Sequence, residues 1–484
     1  MNCDVQFTAE EMNSFDSARV GSYFIIPLRA AVDKISGFTL QHYTNLLLQK
    51  KWKPYVWQYD DLYYHVNELF KCSSGKSSNI TENASIGINF SLPVADSLKY
   101  FGLDDEEGIS EDQEFYVYQK NDKNDNGNKA DLRFRFRCAQ IAIMHTGIGF
   151  LIVGIDAPTP KPYVLLLHAG HNDNRNILGL VGEENKTVNF CDFLINLLKD
   201  IEMVDYSRCM ETGKENEILR DTTNYSIAVI PKYAIGATTD EIEKKIRRLC
   251  RNIRQGKDLS SVNYADTDEN SHSIFAAIND LSLNEKAIRW GIYTLFNATT
   301  QVMFCDETST IDPINIDGEN LEDNYLPFIL IALYERYSYL FFTELLRHQD
   351  LHAKKVLKWL EEQMLRLKAF GILLPADMSP YDNVNQFFKA QREIYDIQGT
   401  LKLIDDKISM ISHIQSEKKE QRKSHTAQFI AAFGITSILC DSLGLLGCLL
   451  QDSISTLLYR IAFFSEIFIM GGIFLVLRII NKRR

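Results

Sequence analysis

The chain has 484 residues, 45% of them hydrophobic, and a formal net charge of -12, which allows a core of ordinary size and at least one further structural unit. The acidic balance argues against direct nucleic-acid binding, because phosphate recognition needs clustered Lys and Arg and no such patch dominates. Nine cysteines without a C-x-x-C pair read as reduced thiols, and six N-x-S/T sequons, Asn89 among them, carry no meaning in a cytoplasmic domain.

Met1 to Glu11 lacks a basic n-region and an apolar h-region, so no cleavable signal peptide is expected. Residues 1–305 read as a cytoplasmic mixed α/β domain. Strands are expected at Tyr23–Leu28, Phe115–Tyr118, Leu132–Met144, Gly149–Ile155, Tyr163–Leu167 and Ser226–Ile230, where β-branched and aromatic residues cluster. His145-Thr146-Gly147 reads as a hairpin turn between two of them. Helices are expected at Thr239–Arg254 and around Glu285–Phe296, and Asn121–Asp131 reads as a solvated loop.

Gly75-Lys76-Ser77 imitates the end of a phosphate-binding loop, but Phe70 stands where that loop needs its first glycine. His168, His171, Asn172, Asn174 and Arg175 concentrate polar groups after an expected strand and form a candidate cytoplasmic ligand loop, with a plain solvent loop as the alternative. No cysteine converges in sequence with a particular His or Asp, so no enzyme is expected, and no metal ligands are assigned.

Residues 306–325, rich in Asp, Asn, Gly and Thr, read as a linker. Residues 326–425 read as a helical stalk. Leu326–Leu346 is very apolar, but Glu335, Arg336 and Glu344 interrupt it and Pro327 suits a helix start, so a buried cytoplasmic helix is expected. A second helix, Asp350–Phe370, stops at Gly371 before Pro375. Asn383–His425 reads as one long helix, with Ile394, Ile397, Leu401, Ile404, Ile408 and Ile411 in heptad alternation, and pairs with its predecessor as an antiparallel hairpin.

Residues 426–484 read as a membrane domain with transmembrane helices at about 427–450 and 461–480. Lys418, Lys419, Arg422 and Lys423 before the first and Lys482, Arg483 and Arg484 after the second put both termini in the cytoplasm. Gly434, Ser437, Asp441, Gly444, Cys448 and Gln451 fall on one helical stripe and are the candidate pore lining, since a carboxylate at Asp441 should face water or a partner. Close helix packing also explains a small-residue stripe. Glu466 is either a partner of Arg460 or a functional carboxylate by itself.

This order, an α+β cytoplasmic domain, a long-helix stalk, two C-terminal transmembrane helices and a basic tail, resembles the CorA-like divalent-cation channel family over residues 326–484. The resemblance implies a homopentamer in the lipid bilayer of the inner membrane, lined by the first span, with a magnesium-type cation as cargo. The family's Gly-Met-Asn filter is replaced by Gly444-Leu445-Leu446-Gly447-Cys448-Leu449. Divergent CorA-like proteins occur as effectors of type III CRISPR antiviral defence, which implies gating by a nucleotide second messenger. A housekeeping magnesium transporter and a membrane-anchored signalling protein without a pore are the alternatives.

Overall fold

A computed structural model describes residues 19–31, 35, 38–55, 63, 66, 86–93, 96, 113–119, 132–167, 176–180, 183–199, 201–205, 223–229, 239–254, 274–281, 287–296, 300–305, 321–348, 354–367, 378–380 and 382–397, and single positions beyond these as far as Ser465. The chain divides into two compact units, Met1–Ile404 and Asp405–Arg484.

The first unit is built on one sheet. Its strands are β1 (Arg19–Arg29), β2 (Lys53–Pro54), β3 (Gly87–Leu92), β4 (Glu114–Gln119), β5 (Arg133–Met144), β6 (Ile148–Ala157), β7 (Asn176–Leu180), β8 (Glu183–Asn189), β9 (Val204–Asp205), β10 (Thr223–Val229), β11 (Ile274–Leu281), β12 (Ala287–Phe296) and β13 (Thr300–Cys305). The main path runs β11-β12-β13-β10-β1-β6-β5-β4-β7-β8, with β3 also on β5, β2 on β3 and β9 on β1. Every pairing is antiparallel except β10 with β13. β1 and β6 sit at its centre, and their almost unbroken burial explains why they read as continuous apolar runs rather than alternating ones.

Three helices follow early strands: α1 (Leu40–Gln49), α2 (Pro160–Leu167) and α3 (Phe190–Lys199). Thr39 caps α1, its hydroxyl accepting from the His42 N–H at 3.3 Å. α4 (Thr239–Arg254) buries Ile246, Leu249 and Cys250. The helical part of the unit is α5 (Leu321–His348), α6 (Lys354–Arg366) and α7 (Asp382–Ile394).

The α4 helix, the β5–β6 hairpin and the buried helix over Leu326–Leu346 take the positions expected of them. Tyr163–Leu167 belongs to α2 instead of a strand: Pro160 occupies the first helical position, where its missing N–H costs nothing. Of the expected helix around Glu285–Phe296, the described part, Ala287–Phe296, is β12 instead, paired on both sides by β11 and β13. Short apolar runs do not separate the two states by period alone, and two waiting strand neighbours decide this one. Pro327 lies inside α5, which starts at Leu321. The expected continuous helix from Asn383 is interrupted at Tyr395-Asp396, where Asp396 has φ 46°.

The expected architecture with two C-terminal transmembrane helices requires correction. Among the described residues no helix is long and apolar enough to cross a membrane. The longest, α5, has 28 residues but carries Glu335, Arg336 and Glu344 along its middle and end. A crossing needs about 20 consecutive apolar residues, and the described part of 427–450 includes Ser437, Asp441 and Ser442, while that of 461–480 ends at Ser465. The assignments of multi-pass inner-membrane localisation and of an ion channel rested on those spans and are not supported. The fold described is a sheet-rich α/β unit with helices beside it.

Candidate functional site: the polar face of the central sheet

Strand pairing assigns the residues of β3, β5, β6 and β1 to two faces. Phe24, Ile26 and Leu28 of β1, Ile88 and Phe90 of β3, Ile141 and Ile143 of β5, and Leu151 and Val153 of β6 share one face and join the main hydrophobic cluster. Tyr43 and Leu47 of α1, Tyr163 and Leu166 of α2, and Phe193 and Leu197 of α3 complete it. Phe24 meets Phe190 edge-on with ring centroids 5.7 Å apart. This face is apolar, with large side chains at most positions and Ala139 and Gly149 among them.

The opposite face differs in kind. Its cross-strand rows are Asn89–Ala142–Phe150–Pro27, Ser91–Gln140–Ile152–Ile25 and, beyond a bulge at Phe136/Cys138, Cys138–Gly154–Tyr23. Small and polar residues occupy its β3–β5 half. Gly154 is required for close approach: a Cβ there would lie 2.9 Å from both Cys138 Sγ and a carbon of the Tyr23 ring. The Arg137 guanidinium stands 5.5 Å from the centre of the Tyr23 ring. Asn89 is 0% and Gln140 5% exposed. Neither amide atom of Asn89 has a hydrogen-bond partner, nor has Oε1 of Gln140. Each such group left without a hydrogen bond costs about 1–3 kcal/mol.

At one end of this face the β5–β6 hairpin is locked to the helices. Gly147, with φ 80°, closes the turn; its N–H donates to Met144 O at 3.0 Å and its carbonyl accepts from Ala30 N–H at 2.7 Å. The buried hydroxyls of Thr146 and Ser338, on α5, are 2.8 Å apart. Arg366, on α6, donates to His145 Nδ1 at 3.2 Å and pairs with Glu362. Arg29 of β1 reaches Glu344 at 3.1 Å and lies over the Phe341 ring. Tyr337 meets Phe150 of the polar face. Burial holds the Tyr334 phenol well above the usual tyrosine range, with Glu335 adding to the shift and Thr146 and Arg366 opposing it.

The seam continues from α5 to α7. Glu335, wholly buried, pairs with Arg392 at 3.0 Å, Phe328 meets Phe388, and Arg336 stacks over Tyr395 at 4.7 Å, next to the break at Asp396. A chain of charged and hydrogen-bonded contacts thus joins the central hairpin to the last helix of the first unit.

The candidate ligand loop His168, His171, Asn172, Asn174 and Arg175 lies outside the described residues, as do Gly444, Cys448 and Gln451 of the proposed pore stripe. Gly434, Ser437 and Asp441 are helical; Gly434 and Ser437 are half-buried and Asp441 is exposed. A Cβ added at Gly434 would meet nothing within 4 Å. Ile430 and Ile438, each four residues from Gly434, are 68% and 66% exposed. Among the described residues no group of His, Cys, Asp or Glu is arranged to hold a metal ion. Sequence reasoning missed the polar face: Asn89 was visible only as a sequon, and Gln140 only as a polar interruption in the apolar run Ala139–Met144.

The first unit is thus an α/β unit with a large mixed, mainly antiparallel sheet whose polar face meets α5. No protein-family description, curated protein or solved structure matches the chain.

Proposed function

We propose that this protein is a ligand-responsive assembly protein rather than an enzyme: its α/β unit senses a small molecule, and its C-terminal helices join copies of the chain. The observation that carries the reading is the buried seam running from Thr146 and Arg29 through α5 to the Glu335–Arg392 pair. Buried ion pairs are weak stabilisers compared with apolar packing, and their best-attested use is to fix one arrangement against another. A seam of this kind converts a small shift at the sheet into a choice between two helix positions. The nucleotide messenger implied by the CorA-like resemblance supplies the ligand class, and the implied homo-oligomer supplies the output.

For self-association the described stripe of the second unit is the contact proposed. Ile430, Gly434 and Ile438 recur at helical spacing on an exposed face, and the open space at Gly434 allows close helix approach. Leu457, Ile461 and Phe464 are 63%, 58% and 67% exposed, so the same unit offers a second apolar surface. A second copy of the chain is the occupant that satisfies both surfaces at once.

Native mass measurement of the full chain, alone and with each common nucleoside monophosphate, tests this function. An oligomer whose population changes with a nucleotide is expected, and Ile438→Lys should shift it at least tenfold toward monomer. A monomer under every condition refutes the assembly role.

A further inference from the structure

β5 opens with an alternation of two residue types, Arg133-Phe134-Arg135-Phe136-Arg137. Phe134 and Phe136 join the aromatic cluster with Phe115 and Phe193, so the strand's period of two sends Arg133 and Arg135 to the opposite, polar face. Arg137 is the extra residue of the bulge between Phe136 and Cys138, and a bulge re-aims a side chain. Its guanidinium stands over the Tyr23 ring, on that same face. Arg19 comes to the face from β1, four residues before Tyr23. Four guanidiniums from two strands thus gather at the end of the sheet away from the Gly147 turn, in a chain whose formal net charge is -12.

Two carboxylates stand among them. Glu114 of β4 is divided between Arg133 and Arg135, one oxygen to each, at 3.1 and 3.2 Å. Asp156 of β6 lies between Arg135 and Gly21 across the strands and meets Arg19 only at 3.8 Å. Arg19 Nη2 and Asp156 Oδ1 make no hydrogen bond. Among these side chains positive charge exceeds negative, and like charges on neighbouring strand positions repel one another. Solvation alone asks for polar side chains, not for one sign of charge gathered in a row.

We infer that Arg19, Arg133, Arg135 and Arg137 form a binding site for the phosphate or pyrophosphate group of a small ligand. A guanidinium carries five N–H donors in a planar fork. Glu114 takes one nitrogen of Arg133 and one of Arg135, which leaves most donors of both for a ligand. Arg133, Arg135 and Arg19 are 44%, 43% and 33% exposed, so a ligand reaches them from solvent. A carboxylate offers two oxygens in one plane. A phosphate group offers three and carries up to about two charges, which matches forks arriving from two strands and the excess of cations over carboxylates. Half-exposed ion pairs like those of Glu114 contribute little, so its arginines exchange it readily for the oxygens of a ligand. This rests on the ligand-responsive reading above and names the place and the chemistry of its ligand.

The test is isothermal titration calorimetry of the full-length chain at fixed ionic strength, with sodium pyrophosphate and with citrate as a carboxylate probe of comparable charge. Pyrophosphate is expected to bind the parent, and citrate at least tenfold more weakly. Arg19→Gln and Arg135→Gln should each weaken pyrophosphate binding at least tenfold. Arg247→Gln on α4, an arginine of similar exposure paired with Glu243, should leave it unchanged. Glu114→Gln should tighten it at least threefold, since the competing charge is gone, and a gain of binding cannot come from unfolding.

Absence of pyrophosphate binding to the parent overturns the site. So does equal binding to the parent, Arg19→Gln and Arg135→Gln, and so does an equal loss in Arg247→Gln, which marks a general effect of net charge. Citrate binding as tight as pyrophosphate overturns the phosphate class. Should an arginine variant unfold in thermal melts, Glu114→Gln decides alone, and unchanged or weaker binding there refutes the site. Pyrophosphate that binds through these arginines yet leaves the native mass unchanged upholds the site and refutes its part in assembly. A ligand-dependent mass change that survives Arg19→Gln combined with Arg135→Gln refutes the sensing role of the site and leaves the assembly function standing.

Discussion

The two faces of the central sheet are stabilised by different physics. On the apolar face, Phe24, Ile26, Phe90 and Ile141 are held by area removed from water and by close packing with α1, α2 and α3, and every neighbour contributes a little. At the polar face, Arg29 and Thr146 are held to α5 by a few directional contacts, and the seam continues to the Glu335–Arg392 pair between α5 and α7. The first kind of face tolerates gradual change. The second has discrete arrangements, and this is the property a sensing element needs.

The contrast is sharpest in the ion pair between α5 and α7. Glu335→Gln should destabilise the first unit by about 3–5 kcal/mol, because it removes the buried carboxylate charge that the Arg392 guanidinium faces at 3.0 Å. Replacing both, as Glu335→Leu with Arg392→Met, should recover most of that loss in urea unfolding. Additive losses in this cycle would show that the pair is not a coupled element.

A similar loss, about 3–5 kcal/mol, is expected for Phe24→Ala on the apolar face, from a cavity among Phe190, Tyr163 and their neighbours. Here no second substitution of a single neighbour should rescue it, since the lost contacts are shared among many atoms. Rescue of both sites to the same degree would erase the distinction between the faces.

Smaller effects probe the hairpin. Thr146→Val removes one of the two buried hydroxyls that face each other and should cost about 1–3 kcal/mol, most of it recovered in Thr146→Val with Ser338→Ala. Gly147→Ala should cost about 1–2 kcal/mol through its left-handed backbone. The added methyl also meets Ile35 Cδ1 at 2.8 Å, so relaxation of that flexible end sets the final value.

The smallest expected effect is a pH dependence. Because burial raises the Tyr334 phenol above its unfolded value, its contribution is complete below about pH 10 and declines as pH rises beyond that. Above this point the unfolded chain releases a proton that the folded chain retains, so stability falls with pH. Tyr334→Phe should flatten that decline in urea titrations between neutral and strongly alkaline pH. Tyr43, raised by burial and secondarily by Glu202, leaves a residual slope in the variant.

Local chemistry made part of the fold legible. Gly147 between two β-branched runs marked the β5–β6 turn, because only a left-handed residue closes it in this way. The charged run of Thr239–Arg254 and the charges in Leu326–Leu346 led to a helix in each case. Apolarity at the C-terminus was the misleading signal: a run of Ile, Leu, Phe and Gly reads the same for any apolar environment, and the exposed faces at Ile430, Ile438 and Phe464 do not by themselves say what meets them.

By itself, then, the sequence determined where the turns, the central strands and the charged helix lie, since these follow from backbone preference and from hydrophobic period over a few residues. Tertiary structure decided the rest. Whether Ala287–Phe296 became a strand depended on β11 and β13 standing on either side of it. That Asn89 and Gln140 share a face, and that Glu335 meets Arg392, depended on pairings between segments far apart in the chain. Long-range register has no local signature, because a strand's residues carry their own alternation but not the identity of the partner that will lie beside them.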